Sequence, residues 1–222
     1  MIKTIGILLM VTGILITGWN GYEWWSQTNA VTFDQEKAQS IDEDWADMTE
    51  EATFIQPVEK EETDSTKITA TKNNQQEQPE QTDFAKGEEV GQLTIPKMGK
   101  IFPVYWGTDE QTLKKGVGLY DSDYTVLPNQ NGHTALAGHR DTVFIGLDQL
   151  QKGDKLYLEL EGVKYEYQIR KTWITDAEDR TVIVKKDEPT LTLTTCYPFD
   201  FVGSAPDRYI VQSELIGKET ID

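Results

Sequence analysis

Hydrophobic and polar positions divide the chain into three stretches. Thr4 to Tyr22 is a run of 19 residues without a charge, led by Lys3, and its centre from Ile5 to Ile16 is rich in Ile, Leu, Val and Met. That length suits a bilayer core of about 30 Å at about 1.5 Å per residue. The pattern predicts a membrane anchor within residues 1–25. A cleaved signal peptide is the competing reading, and it needs small residues in an A-x-A-like pattern. The first alanine is Ala30, while Trp19, Tyr22, Trp24 and Trp25 crowd the exit as an interfacial belt would. An uncleaved anchor is expected. Lys3 precedes the span and Glu23 follows it, so the positive-inside rule sets the N-terminus in the cytoplasm and the rest outside the cell membrane.

The second stretch, residues 26–89, has no such order. Glu59 to Gln81 is nearly all Glu, Thr, Lys, Asn, Gln and Asp. It cannot bury enough apolar surface to offset chain entropy and is expected to be disordered. Earlier in the stretch, Ser40 and Glu43 have capping-box spacing, and Ile41, Trp45, Met48 and Ala52 follow at helical intervals. A short helix and a solvated acidic tether are both open readings there. If wholly flexible, the 64 residues would span roughly 45 Å and hold a domain away from a membrane.

The third stretch, residues 90–218, has the patterning of a folded domain. Strands are predicted at Gln92–Ile95, Ile101–Trp106, Thr134–Ala137, Lys155–Leu160, Lys164–Ile174, Val182–Val184, Thr190–Thr195 and Arg208–Leu215. Glu161 and Gly162 form a hairpin turn between two of them. Short helices are predicted around Gln111–Lys115 and Gly146–Leu150. Many short strands with Gly, Pro and Asp turns argue for a mainly β domain, an antiparallel barrel or sandwich.

Charge sharpens this division. The formal charge is −17, from 21 Lys and Arg against 38 Asp and Glu. Residues 26–89 alone carry 17 acids and 5 bases, so the acidity belongs mainly to the middle stretch. A nucleic-acid binder usually shows a basic face, and that class is set aside. One cysteine excludes an intrachain disulfide framework and a Cys-rich zinc site. Two histidines exclude most His-based metal cages.

The candidate chemistry lies at strand ends. In Thr190–Thr195, Leu191 and Leu193 face one side, and Thr192, Thr194 and then Cys196 face the other. Tyr197-Pro198 stops the ladder just after Cys196. A lone cysteine off the apolar face is either inert or a reactive thiol. Arg208 likewise takes the parity opposite to Tyr209, Val211 and Leu215 at the start of the last strand; by itself it also reads as a surface arginine near Asp207. His139 sits among small residues in Gly138-His139-Arg140, where a side chain can be approached closely. One Cys with one His is the minimum for thiol catalysis, because the thiolate attacks and imidazole can protonate a leaving amine.

Taken together, Thr192-Leu193-Thr194-Thr195-Cys196, Arg208-Tyr209-Ile210-Val211 twelve residues after the cysteine, and Gly138-His139-Arg140 upstream resemble the sortases. These are membrane-anchored cysteine transpeptidases of Gram-positive bacteria. Cys196-Tyr197-Pro198-Phe199 and His139-Arg140-Asp141-Thr142-Val143-Phe144 are most similar to class D. The resemblance implies an eight-stranded β-barrel with short helices, over roughly Gln92 to Ile216. It implies Cys196 as nucleophile, His139 as general acid and base, and Arg208 as the group that stabilises the oxyanion or positions substrate. The expected reaction cleaves an LPXTG-like sorting signal through a thioacyl-enzyme and passes the protein to a peptidoglycan-precursor amine.

His133 matches no motif and is read as structural or surface. No cofactor is expected to be required. Some sortases use calcium, and Asp176, Glu178 and Asp179 could bind it, though a solvated loop is the favoured reading. Two other classes remain: a hydrolytic cysteine protease, and a catalytically silent membrane-tethered β-domain that binds a surface partner.

Overall fold

The computed structural model describes residues 2–28, 31–48, 84–200, 203 and 205–221. The predicted disordered run Glu59 to Gln81 lies outside them, as does Ala52. The first element is one long helix, α1 (Ile2–Thr28). Within it Lys3–Tyr22 is long and apolar enough to cross a membrane, and none of that span is buried in the protein.

The rest of the chain is mainly β. After a two-residue strand β1 (Thr32–Phe33) and a short helix α2 (Gln35–Gln39) come β2 (Glu89–Ile95), β3 (Lys100–Trp106), a one-turn helix α3 (Glu110–Leu113), β4 (Val117–Leu119), β5 (His133–Ala137), β6 (Lys155–Leu160), β7 (Val163–Asp176), β8 (Thr190–Tyr197) and β9 (Asp207–Thr220). The sheet order is β1-β3-β2-β6-β7-β9-β8-β5-β4, and β4 pairs back onto β3. That pairing closes β2 to β9 into an eight-stranded barrel and removes the exposed edges an open sheet would carry.

Period-two alternation builds the interior. Leu93 and Ile95 of β2, Phe102 and Val104 of β3, Leu156 and Leu158 of β6, Tyr167 and Ile169 of β7, Leu191 and Leu193 of β8 and Val211 of β9 all lie in one buried cluster. The hairpin at Glu161-Gly162 forms as predicted. Both residues adopt positive φ, 51° and 75°, the twist that a two-residue hairpin requires.

Two strand expectations are corrected. Val182–Val184 is not a strand. Its backbone serves the barrel wall sideways instead of a ladder: the Val184 carbonyl accepts from the His133 ring, and Val182 is buried. The strand that completes the eight is β4, whose three residues are too few for alternation to be visible in sequence. Gly118 in its middle is needed, because a Cβ there would lie 2.5 Å from the Gly107 carbonyl oxygen.

Around residues 40–48 the chain makes turns, and the helix sits earlier, at α2. Asp34 caps that helix by accepting from the Lys37 amide, and Ala38 is fully buried. Asp42 instead closes a local turn, accepting from the Asp44 amide. Residues 31–48 lie on the barrel. Thr32 pairs with Ile101 and Phe33 with Lys100, the Asp34 amide donates to the Gly99 carbonyl, and Lys164 Nζ donates to the Ile41 carbonyl. The helix predicted around Gln111–Lys115 is α3, capped by Asp109, and that at Gly146–Leu150 is a single 3-10 turn.

Candidate active site

Three strand ends meet at one mouth of the barrel. β5 and β8 run parallel, with Ala137 against Thr194. Carried two residues further, that register sets His139 against Cys196. On the other side of β8, Cys196 pairs with Arg208 of β9. By this register His139, Cys196 and Arg208 stand side by side across three neighbouring strand ends, with Cys196 and Arg208 on the face that their parity predicts. All three are half-buried. A side chain in that state is held by its surroundings and still reachable by a peptide.

Each is fixed by its own local structure. Just before Cys196, the Thr195 hydroxyl donates to the Gly138 carbonyl at 2.7 Å, and the Gly138 amide donates to the Thr194 carbonyl. These two bonds lock the Cys196 strand to the backbone that enters His139. Gly138 must be glycine because a Cβ there would lie 2.7 Å from the Phe144 ring. Phe144 is itself fully buried, edge-on to Phe102, and its amide donates to the His139 carbonyl. After Cys196, the rings of Tyr197 and Phe199 pack with Tyr209 at centroid distances of 5.5–6.3 Å. Arg208 Nη1 donates to the carbonyls of Asp207 and Ala205, which points its guanidinium along the start of β9. Buried Arg140, next to His139, donates to the Gly203 carbonyl and ties the histidine loop to the segment that follows the cysteine.

Tyr120 is a neighbour of the site that sequence reasoning missed. It follows β4, and its amide donates to the Ala135 carbonyl. Its phenol is shifted above the usual range by burial; the Arg208 charge opposes that shift and Cys196 adds to it. The side chain therefore shares an electrostatic environment with both. Nothing local marks it, since only the β4–β5 pairing carries it there.

His133 behaves differently from His139. It is buried at the start of β5, with Nδ1 2.7 Å from the Val184 carbonyl and Nε2 2.7 Å from the Thr192 hydroxyl. The carbonyl can only accept, so Nδ1 carries the proton and Nε2 accepts from Thr192. Burial pushes the imidazole below its ordinary value, against the Val184 hydrogen bond and helped by the nearby Lys186 charge. Of the three acids weighed as calcium ligands, Asp176 accepts from the Glu178 amide and Asp179 from Thr175 and Thr181. Among the described residues no three His, Cys, Asp or Glu side chains are arranged to hold a metal ion.

Comparison with known proteins gives this arrangement its class. Residues 93–216 match the sortase domain, more than half of the chain, and the protein belongs to the sortase family. Within the family the likeness is to class D. The chain is 42% identical over 149 residues to sortase D of Bacillus subtilis, covering 66% of this chain and 74% of that protein. The catalytic domain of B. anthracis SrtD superposes with a TM-score of 0.56 at 55% identity, covering 66% of this chain and 99% of that one. A Clostridium perfringens sortase D5 transpeptidase superposes at 0.54 with 29% identity, covering 61% and 83%.

Proposed function

We propose that this protein is a membrane-anchored cysteine transpeptidase that cleaves an LPXTG-like sorting signal and transfers the released acyl group to a cell-wall amine. The observation that carries the proposal is the row of His139, Cys196 and Arg208 at one mouth of the barrel, on a chain of the sortase family.

The Cys196 thiolate attacks the carbonyl carbon of the scissile Thr–Gly bond or its equivalent. The carbonyl π pair moves onto oxygen, and the Arg208 guanidinium supplies fixed positive charge where that negative charge develops. Collapse breaks the C–N bond, and imidazolium His139 protonates the leaving amine. A thioester remains on Cys196. The incoming amine attacks that carbonyl, gives a proton to His139, and expels the thiolate. Water can attack the same thioester, so the outcome depends on which nucleophile is oriented beside it. Helix α1 supplies the anchor. With the N-terminus cytoplasmic, the barrel sits outside the membrane, where wall precursors present their amines.

The test is product analysis with the full chain in vesicles and a library of LPXTG-like peptides, with and without hydroxylamine or a wall-type amine. Diversion of product to hydroxamate or amide supports transfer. Hydrolysis as the sole outcome across a broad amine panel would select the cysteine-protease reading, and no thioacyl-enzyme with any peptide would select the silent binding domain.

A further inference from the structure

We infer that the barrel does not hang on a long spacer but rests on the membrane that holds α1, through a small apolar patch formed by Phe33 and Ile145 on either side of Lys100. This rests on the anchor reading of α1.

Three observations carry it. First, chain length leaves little freedom. Only residues 29–30 separate the end of α1 at Thr28 from Val31, which packs against the barrel core. Thr28 to Val31 spans at most about 11 Å when fully extended. The six helical residues beyond Tyr22 add about 9 Å along the axis, within the headgroup layer's reach. The polar run predicted as the spacer lies after the chain has already docked. Residues 49–83 leave next to Met48, which approaches Gly153, and return at Phe84, whose ring packs on Trp106.

Second, the side turned toward that short link is apolar and exposed. Phe33 is 71% exposed, the highest value among the exposed large apolar side chains described. It is paired with Lys100, whose Nζ donates to the Ile145 carbonyl at 2.7 Å, and Ile145 is 46% exposed. The two apolar side chains therefore flank one lysine whose ammonium is already used inside the protein. One exposed apolar side chain alone would be ordinary; two flanking one engaged lysine beside the end of a membrane helix form a surface that a bilayer interface accepts readily.

Third, the patch shares a barrel mouth with the site. β3 and β4 run parallel, β4 pairs antiparallel with β5, and β5 runs parallel to β8. The start of β3, where Phe33 pairs, is thus at the same end as Cys196 and His139. Ile145 lies six residues after His139. On the segments that carry the patch, Asp34, Glu36, Asp141 and Asp148 are exposed, against Lys37 and Lys97. The patch is therefore not basic, and the partner is the acyl–headgroup boundary itself, independent of anionic lipid. Such a patch would bind weakly alone; tethering by α1 makes the contact intramolecular in effect, which raises its occupancy. The consequence is a site held at a fixed height over the membrane instead of one free to sweep a large volume.

The lone cysteine makes the test direct. In full-length Cys196→Ala protein in phosphatidylcholine vesicles, single nitroxides are attached at Phe33→Cys, Ile145→Cys, Leu9→Cys and Tyr124→Cys. Tyr124 is 55% exposed and follows β4 at the opposite end of the barrel. Collision rates with oxygen and with a water-soluble nickel chelate report depth. Expected are deep burial at 9, the headgroup–acyl boundary at 33 and 145, and water at 124, unchanged by added anionic lipid. Nitroxides at 33 and 145 as aqueous as that at 124, with 9 still deep, would overturn the docking and leave the anchor standing. An aqueous nitroxide at 9 would overturn both. Spin–spin broadening at 33 or 145 that vanishes on dilution with unlabelled chains would assign the patch to a second copy and overturn the lipid contact.

Discussion

The two ends of the β5–β8 ladder carry the chain's two histidines, and they set them in opposite surroundings. At the start of the ladder, Thr190 donates to the Gly132 carbonyl, Val126 donates to the His133 carbonyl, and the His133 ring spends both nitrogens on Val184 and Thr192. That end is closed, and its histidine holds the segment between β7 and β8 onto the barrel. At the far end the pairing stops at Ala137, and His139 and Cys196 stand half-buried with Arg208 beside them. A histidine whose two nitrogens are both used in the interior has no proton left to offer a substrate. One at an open strand end stays open to a peptide's approach.

The sharpest way to break this contrast is at the open end. Cys196→Ala should abolish the thioacyl-enzyme and leave the fold intact, because the side chain lies off the apolar face. Mass spectrometry after incubation with a sorting peptide reads the first, and circular dichroism the second. Any residual acyl-enzyme would remove Cys196 from its proposed role. Arg208→Ala should cost about 10²–10³-fold in turnover if the guanidinium acts as an oxyanion donor. Arg208→Lys should fall between, since it keeps the charge and loses the planar fork. Rates near wild type in both would make Arg208 a strand-end anchor for Ala205 and Asp207 alone. His139→Ala should lower turnover by at least about 10²-fold with an unchanged melting temperature.

At the closed end the expected effects are on stability. His133→Ala leaves the Thr192 hydroxyl and the Val184 carbonyl without their partner, at about 1–3 kcal/mol for a buried group left unsatisfied. Denaturant unfolding should read that loss. The comparison fails if His139→Ala is the destabilising variant and His133→Ala the inactive but stable one. A smaller effect sharpens it further. Burial holds His133 below its ordinary value of 6.5, so below that pH the folded state binds fewer protons than the unfolded chain. The stability His133 contributes is therefore present above about pH 6.5 and lost as pH falls through and below it. His133→Gln should flatten that part of the stability profile, whereas His139→Gln should leave it in place.

Local pattern determined much of this protein. The uncharged run from Thr4, the alternation that faces Leu191 and Leu193 inward, and the Glu161-Gly162 turn each depend on neighbours within a few residues. Each was therefore legible without a structure. So was the outward parity of Cys196 and Arg208, because a strand's side-chain period is fixed at two. Their register, Cys196 against Arg208 and His139 in line with both, was not. It depends on which strands pair, and that is decided by burying the whole barrel interior at once. The same cause hid β4, whose three residues form a strand only because β3 and β5 lie on either side. It set Tyr120 in the electrostatic surroundings of Cys196 and Arg208, and it turned Val182–Val184 from an expected strand into a covering loop held by His133. Tertiary packing also decided what residues 31–48 do. Their acidic composition reads as a solvated tether, yet one capped turn of helix, a buried Ala38 and a two-residue strand fasten them to the barrel, since docked chain can trade water for backbone hydrogen bonds on the Lys100–Ile101 stretch of β3 that β4 does not cover.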